Sequence, residues 1–188
     1  LSRLRLVDQH VPVTERKERS KRRRYRIRDP FIRFWFHFVY GTGEQYDEIG
    51  AEAYEALIEP ELADFVSEAF ESLCCSALRT FYAERTITET GQWWYDEHEV
   101  DVVGLTAGDT LIAGECKFQQ SPLGYDALAR LEDHVSELRW SPRSGGERVE
   151  EYALFSRSGF KSSVEEACER RDDLRLFTVS DVVSALSN

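Results

Sequence analysis

The chain of 188 residues contains no methionine and only four lysines among its 24 basic residues. Since it begins at Leu1 without a methionine, we expect it to be a piece of a longer protein. It also lacks any apolar run near the roughly 18 residues that a membrane-spanning helix needs, and no signal-peptide pattern opens it. These absences predict a cytoplasmic protein that does not enter the membrane.

Several catalytic motifs are missing as well. The sequence has no GxxxxGK[ST] phosphate loop, no GxGxxG turn, no GxSxG nucleophile motif and no HExxH zinc motif. Its four histidines are scattered, so a histidine-dependent mechanism has little support. Its four cysteines show no metal-ligand spacing, which favours reduced thiols in an apolar interior.

Charge is unevenly distributed along the chain. The formal net charge is −11, but residues 1–33 carry a net +8 and residues 34–188 a net −19. An acid-rich, lysine-poor composition is expected of a cytoplasmic protein that works in concentrated salt, where repulsion between carboxylates is screened. We therefore expect a halophilic host, in which binding to nucleic acid would lose much of its affinity.

The basic part of the chain is predicted to form a hairpin. Residues 1–13 have the pattern of a helix end followed by a strand, and residues 25–28 that of a returning strand. Between them lies a basic tip, which suits the phosphate backbone of DNA. The alternative is an ordinary solvated tip. The tip consists of Lys21, Arg22, Arg23 and Arg24.

An aromatic helix is predicted next. Asp29 can cap its first turn, and Pro30 occupies the position whose amide would have no partner. Six aromatic side chains follow within residues 31–40. Because helical spacing distributes them around the axis, we expect a core or interdomain anchor rather than a platform for stacking bases.

The remainder predicts an α/β fold with a mixed sheet, since a helix is followed by three strands and then by alternating helices and strands. A short helix near 49–57 precedes a long one over 59–84, in which Glu68 and Glu71 flank the apolar stripe and either can reach an adjoining site. The predicted elements after it are strands 93–95, 99–105 and 110–118, a helix from Ser121-Pro122 to about 140, strand 152–156, helix 161–171, strand 174–179 and a last helix capped by Ser180.

Charged residues interrupt two of these apolar strands. Asp101 lies on one, and Glu115 and Lys117 lie on the next. Two carboxylates beside an amine are what divalent-metal phosphodiester hydrolysis needs, because hard oxygens hold Mg²⁺ or Mn²⁺ and a lysine steadies water or developing charge. The alternative is a surface ion pair. The use of lysine favours the catalytic interpretation, since this arginine-rich chain keeps a compact amine where arginine would serve as an ion-pair partner.

The spacing of the hairpin decides whether these groups meet. Alternation along a strand puts Glu115 and Lys117 on one face and Cys116 on the other. A three-residue loop at 107–109 would pair Leu105 with Leu111 and Asp101 with Glu115, whereas a slip of one residue would separate the two acids.

This arrangement resembles the PD-(D/E)xK nuclease superfamily, which includes restriction endonucleases and archaeal junction resolvases. A longer set of segments resembles the carboxy-terminal region of archaeal-type P-loop ATPases, which ends in a restriction-endonuclease-like domain of unknown function. The matching segments are Tyr25-Arg-Ile-Arg-Asp-Pro-Phe-Ile-Arg-Phe-Trp-Phe, Phe70-Glu71, Trp93-Trp94, Glu99-Val-Asp-Val-Val-Gly and Gly114-Glu-Cys-Lys. The leading proline of the nuclease motif is absent, and Val100 stands in its place.

The resemblance implies a restriction-endonuclease-like mixed sheet flanked by helices and a division of the chain into three parts. Residues 1–28 would be the remnant wing of a winged helix, 29–58 the aromatic connecting helices and 59–188 the nuclease-like domain. The implied metal ligands for Mg²⁺ or Mn²⁺ are Asp101, Glu115, the backbone carbonyl of Cys116 and Glu71, for which Glu68 is the rival. Lys117 would orient and activate water.

The implied partners are DNA and the amino-terminal ATPase and winged-helix domains of a parent chain. Two further hypotheses stay open at this point. The first is a catalytically inactive module that docks the ATPase on DNA or protein through the aromatic helix and the basic tip. The second is oligomerisation, because the aromatic surface has to be covered by something.

Overall fold

The computed structural model describes residues 6–187. Within this range the chain forms two compact units, one of residues 6–11 and 15–65 and the other of residues 12–14 and 66–187. The helix end predicted at the very start of the chain lies outside the described residues. None of the described helices is both long and apolar enough to cross a membrane.

The first unit opens with the predicted hairpin. Strands β1 (Val7–His10) and β2 (Arg24–Ile27) pair in antiparallel fashion. Three residues of the basic tip are exposed, and Arg24 is half-buried at the start of β2. The guanidinium of Arg22 lies 2.8 Å from the carboxylate of Glu15, so part of the positive charge of the tip is compensated locally.

The aromatic helix forms, but most of its rings are not buried. Helix α1 (Pro30–Phe34) continues into a wider π-helical turn (Trp35–Val39), and α2 (Gly43–Ile49) follows. Asp29 caps α1 as predicted, accepting a hydrogen bond of 3.0 Å from the amide of Ile32. Among the six aromatic side chains only Phe38 is buried.

The expectation of a core or interdomain anchor stays a prediction, since among the described residues one of the six rings is buried. Phe38 packs against Phe65 of the same unit with ring centroids 5.3 Å apart. The rings of Trp35 and Tyr40 are tilted against each other with centroids 5.2 Å apart, and Trp35 is 38% and Phe31 74% exposed. Helical spacing predicts that rings point in many directions, but it does not say on which sides a partner lies.

The second unit is a mixed α/β structure with a five-stranded sheet, in agreement with the coarse prediction. The strands lie in the order β3-β4-β5-β6-β7; β3, β4 and β5 are antiparallel neighbours, and β6 and β7 add in parallel. The elements are α3 (Glu59–Phe81), β3 (Ile87–Tyr95), β4 (His98–Thr106), β5 (Thr110–Lys117), α4 (Tyr125–Glu137), β6 (Val149–Ser156), α5 (Ser162–Arg170), β7 (Leu174–Thr178) and α6 (Val179–Leu186).

Helices cover both faces of this sheet. On one face, Leu128 and Leu131 of α4 and Val164 of α5 pack on inward side chains of the strands. On the other face, Leu78 of α3 and Val182 of α6 do the same. Since both faces are apolar, a charged side chain in the middle of β4 or β5 lies in an interior environment rather than in water.

Two helix starts differ from the sequence expectation. Helix α4 begins at Tyr125 after Gly124, not at Ser121-Pro122, because Leu123 forms a parallel bridge with Phe160. This bridge is fixed by contacts far apart in sequence, so local capping signals could not reveal it. Helix α6 is capped by Thr178 together with Asp181 in a reciprocal capping box, and not by Ser180.

Candidate functional site

The hairpin of β4 and β5 has the predicted loop and register, and it opens where the charged residues lie. Leu105 pairs with Leu111 across the loop of residues 107–109, and the ladder ends at Val102 and Gly114. One residue further along, the side chain of Asp101 takes the place of a backbone partner, since its Oδ2 accepts a hydrogen bond of 2.9 Å from the amide of Cys116. The backbone ladder therefore stops before it reaches the two acids.

Glu115 and Lys117 meet on β5. The carboxylate of Glu115 is almost entirely buried, with a side-chain exposure of 6%, and its Oε1 lies 2.6 Å from Nζ of Lys117. The Lys117 side chain keeps an exposure of 34% and thus connects the buried acid to solvent. The intervening Cys116 points to the opposite face, where it belongs to the core formed with α3.

Helix α3 brings a third acid to the same place. The Glu71 carboxylate accepts a hydrogen bond of 2.7 Å from Nε2 of Gln92 on β3. One turn later, the thiol of Cys75 lies 3.6 Å from the carbonyl oxygens of both Gly91 and Asp101, which ties α3 to β3 and β4. Glu71 thus lies beside β3, the strand next to the one that carries Asp101, and its charge acts on Asp101.

The pKa of Asp101 reflects its burial and the charges of the neighbouring acids. Burial, and next to it the negative charge of Glu115, raises the pKa of Asp101 to about 8, with Glu71 adding to the rise. The amide of Cys116 and the ammonium of Lys117 act in the opposite direction but do not cancel it. Without a cation, burial and the neighbouring acids therefore favour the protonated form of the Asp101 carboxyl.

Lys117 remains charged in this environment. Burial by itself lowers the pKa of Lys117, but the neighbouring carboxylates of Glu115 and Asp101 outweigh it and raise the pKa above its ordinary value. The side chain is therefore an ammonium group, suited to holding an anion or a water molecule in place. It is not a base for removing protons at neutral pH.

The sequence did not point to Gln92 or Cys75. Both act across elements, Gln92 by holding the carboxylate of Glu71 and Cys75 by contacting two strands. In the sequence, Gln92 could have been noticed as the polar residue directly before the Trp93-Trp94 pair. Burial raises the pKa of the Cys75 thiol to about 12, so this cysteine is an unreactive packing group.

Comparison with protein families gives one match. The profile of DUF234, described as archaea bacterial proteins of unknown function, matches residues 35–131. The chain belongs to this family. The matched range contains Glu71, Asp101, Glu115 and Lys117, whereas the basic tip precedes it. Comparisons with curated proteins and with solved structures give no match.

The description of the family names no activity. What the site can do therefore follows from its chemistry alone. Acids from α3, β4 and β5 lie near enough for Glu71 and Glu115 to act on the charge of Asp101, and the ammonium group of Lys117 contacts Glu115. Such a set can bind a hard divalent cation and can stabilise negative charge on an oxyanion.

Proposed function

We propose that the second unit is a metal-dependent phosphodiesterase of the restriction-endonuclease type that acts on DNA. The observation that carries the proposal is the meeting of Asp101, Glu115 and Lys117 at the end of the β4–β5 ladder. Two acids in an apolar interior raise the free energy of the folded protein unless a cation compensates them.

The donor set fits Mg²⁺ or Mn²⁺. Carboxylate oxygens of Asp101, Glu115 and Glu71 are hard ligands, as these ions prefer. The backbone carbonyl of Cys116 can join them, because the amide and carbonyl of one strand residue point to the same side and this amide faces Asp101. The raised pKa of Asp101 supports the fit, since the ammonium of Lys117 does not by itself compensate the acids of the site.

To bind one cation, side chains of the three acids would have to rotate from the positions that they have in the structure. Each acid is held by its own neighbour, Glu71 by Gln92, Asp101 by the Cys116 amide and Glu115 by Lys117. Among the described residues these three acids are not a group whose ligand atoms all lie within 4.8 Å of one another. Rotation of Glu71 and Glu115 about their side-chain bonds would bring the oxygens together.

The chain's own residues would then have distinct tasks. A bound ion would polarise the phosphate and generate a nucleophilic water. Lys117 would leave Glu115 and place its ammonium beside that water and the pentacoordinate phosphorus, where negative charge develops. The P–O bond to the leaving deoxyribose oxygen would then break, and that oxygen would take a proton from solvent. Gln92 would keep Glu71 oriented by the hydrogen bond that it already donates.

The test is Mn²⁺-dependent cleavage of labelled single- and double-stranded DNA by the purified chain and two variants. Asp101→Asn removes a metal ligand, and Lys117→Ala removes the ammonium. We expect both to lose cleavage while circular dichroism shows an unchanged fold. Glu97→Gln, at an exposed position in the β3–β4 turn, is the matched control and should cleave normally. Unchanged cleavage by both site variants would reject the proposal.

A second candidate is a catalytically inactive module of nuclease fold that docks DNA, protein or a further copy of the chain. The exposed rings of Phe31, Phe36 and Tyr40 favour it, as does the net −19 of residues 34–188. The amino-terminal ATPase and winged-helix domains implied by the resemblance belong to both candidates as partners. DNA binding that survives EDTA, without cleavage in molar potassium chloride, would favour the inactive module.

A further inference from the structure

A second cluster of metal-type ligands lies where the end of α4 meets the start of β4. His98 is the first residue of β4, and Asp133 and His134 lie near the end of α4. One ligand atom from each of the three residues lies within 4.8 Å of the others, the only such cluster found in residues 6–187. The two imidazole rings stand edge to face, with centroids 5.3 Å apart.

The tautomer of the neutral His134 ring is set by the backbone of β4. Its Nδ1 lies 2.6 Å from the carbonyl oxygen of Glu99, and because a carbonyl only accepts, Nδ1 must carry the proton. The amide of Glu99 is farther from the same nitrogen, at 3.4 Å, and cannot donate to it at the same time. Nε2 of His134 is therefore left with its lone pair, as in histidines that bind metals while their other nitrogen is held by a carbonyl.

His98 shows the complementary feature. Its Nδ1 is buried and has no hydrogen-bond partner among the described residues, the one side-chain nitrogen or oxygen there with this property. Buried polar atoms are almost always satisfied, so an orphaned imidazole nitrogen beside a second histidine and a carboxylate indicates a missing ligand. Asp133 is exposed and would add negative charge while leaving the site open to solvent.

We propose that His98, Asp133 and His134 bind Zn²⁺, with solvent completing a tetrahedral shell. Two imidazoles and one carboxylate suit this borderline cation, whereas Mg²⁺ and Mn²⁺ favour sites made wholly of oxygens. The site is separate in residues and in ligand chemistry from the acids around Asp101. A bound ion would tie the end of α4 to the start of β4, three residues before Asp101, and would hold the strand that carries this acid.

The experiment uses Co²⁺ as a spectroscopic substitute for Zn²⁺ in the whole chain. We expect one equivalent of Co²⁺ to give visible d–d absorption of a tetrahedral site, and Zn²⁺ to displace it. His98→Gln and Asp133→Asn should each weaken binding by more than about 100-fold, the upper range seen when even an outer partner of a ligand is removed. Asp133 is exposed, so its substitution leaves the fold intact.

One control separates this site from other histidines. His37→Gln changes an exposed histidine of the first unit that is paired with Glu61, and it should give the same visible bands as the parent chain. The proposal is overturned by absence of the visible bands in the parent chain, by unchanged binding in both cluster variants, or by near-ultraviolet bands of cobalt bound to thiolate. Loss of the visible bands in His37→Gln would overturn it as well.

Discussion

At the scale of single residues, the site shows a conflict between stability and chemistry. Asp101 and Glu115 interrupt apolar strands whose other side chains build the two cores. Burial of two neighbouring acids disfavours their charged forms, and the pKa of Asp101 is raised for this reason. Ionisation of Asp101 therefore lowers the stability of the fold. Residues that break a local rule of folding without any structural gain are expected at functional sites.

The first prediction concerns Asp101→Asn in the absence of metal. In the unfolded chain an Asp has a pKa of about 3.9, whereas in the fold the pKa of Asp101 is raised to about 8. Between these values only the folded state binds the proton, so stability falls as pH rises, by up to about 1.4 kcal/mol per pH unit from this group. Asparagine cannot ionise and still accepts a hydrogen bond from the Cys116 amide.

Urea denaturation with EDTA present should therefore show a difference between the parent chain and Asp101→Asn that is about 1–2 kcal/mol at pH 5 and grows as the pH rises. At pH 8 the variant should be more stable, by an amount on the order of a few kcal/mol. Asp109→Asn, in the exposed loop of the same hairpin, is the control and should show no such growing difference. A variant that is less stable than the parent at both pH values would contradict the assigned environment.

The second prediction distinguishes the structural role of Lys117, its ion pair with Glu115, from its proposed role in cleavage. Lys117→Arg keeps a positive charge beside Glu115, so we expect stability to change by less than about 1 kcal/mol. A planar guanidinium cannot place a compact charge at the attacking water, and cleavage should fall at least about tenfold, the effect of ~1.4 kcal/mol of lost transition-state stabilisation. Equal cleavage by both proteins would assign Lys117 a structural role only.

Sequence reasoning found the residues whose chemistry conflicts with their surroundings. Asp101, Glu115 and Lys117 were predicted because charge in an apolar strand is visible in the sequence itself. His134 was not, because its role depends on α4 lying against the start of β4, a contact between residues 35 positions apart. Gln92 is a similar case, since its partner Glu71 lies on a preceding helix.

At the scale of elements, local signals predicted structure well and tertiary contacts accounted for the differences. The β4–β5 hairpin was correct in loop and register, because alternation and a three-residue turn determine both. The start of α4 was misplaced, because Leu123 pairs with Phe160. Which rings of the aromatic helix are buried could not be predicted, because helical spacing does not reveal on which sides the partners lie.

The third prediction tests the close approach of strands beside Glu115. A methyl group at Gly114 would lie 2.9 Å from Cε2 of Phe155 and 3.1 Å from Cβ of Val102, both closer than normal packing allows. Gly114→Ala should therefore destabilise the chain by about 1–3 kcal/mol in urea denaturation, through overpacking of the core. Cleavage should decline as well, since Glu115 follows directly.

Gly108→Ala is the matched control for this prediction. It lies in the loop of the same hairpin, where the nearest atom to an added methyl group is Oγ1 of Thr106 at 3.8 Å, an ordinary contact. Its stability should equal that of the parent within about 0.5 kcal/mol. Equal stability of the two glycine variants would mean that the tight fit around Gly114 does not stabilise the fold where β4 and β5 diverge.

At the scale of the whole molecule, charge and chemistry are divided along the chain. The excess of positive charge belongs to residues 1–33, whereas the acid site belongs to the strongly negative remainder. An acidic surface repels nucleic acid at low salt, and screening within a few ångströms at high salt weakens that repulsion together with any attraction. Contact with DNA is therefore expected to depend on the basic tip.

The fourth prediction follows from that division. Each phosphate neutralised by the tip should contribute about 0.9 to the slope of log K against log salt for duplex DNA. A double variant, Lys21→Ala with Arg23→Ala, removes two exposed charges and should lower the slope by about two, with EDTA present throughout. Fluorescence anisotropy with a labelled duplex measures both quantities.

Arg22→Ala is the comparison variant, because it removes a charge of the tip that is already paired. Because the Arg22 guanidinium lies 2.8 Å from the Glu15 carboxylate, its charge is partly neutralised before DNA arrives, and its loss should change the slope less than loss of Lys21 or Arg23 alone. Equal slopes for the parent and all variants would mean that the tip is only solvated. The acid site would then have to reach its phosphodiester through another surface.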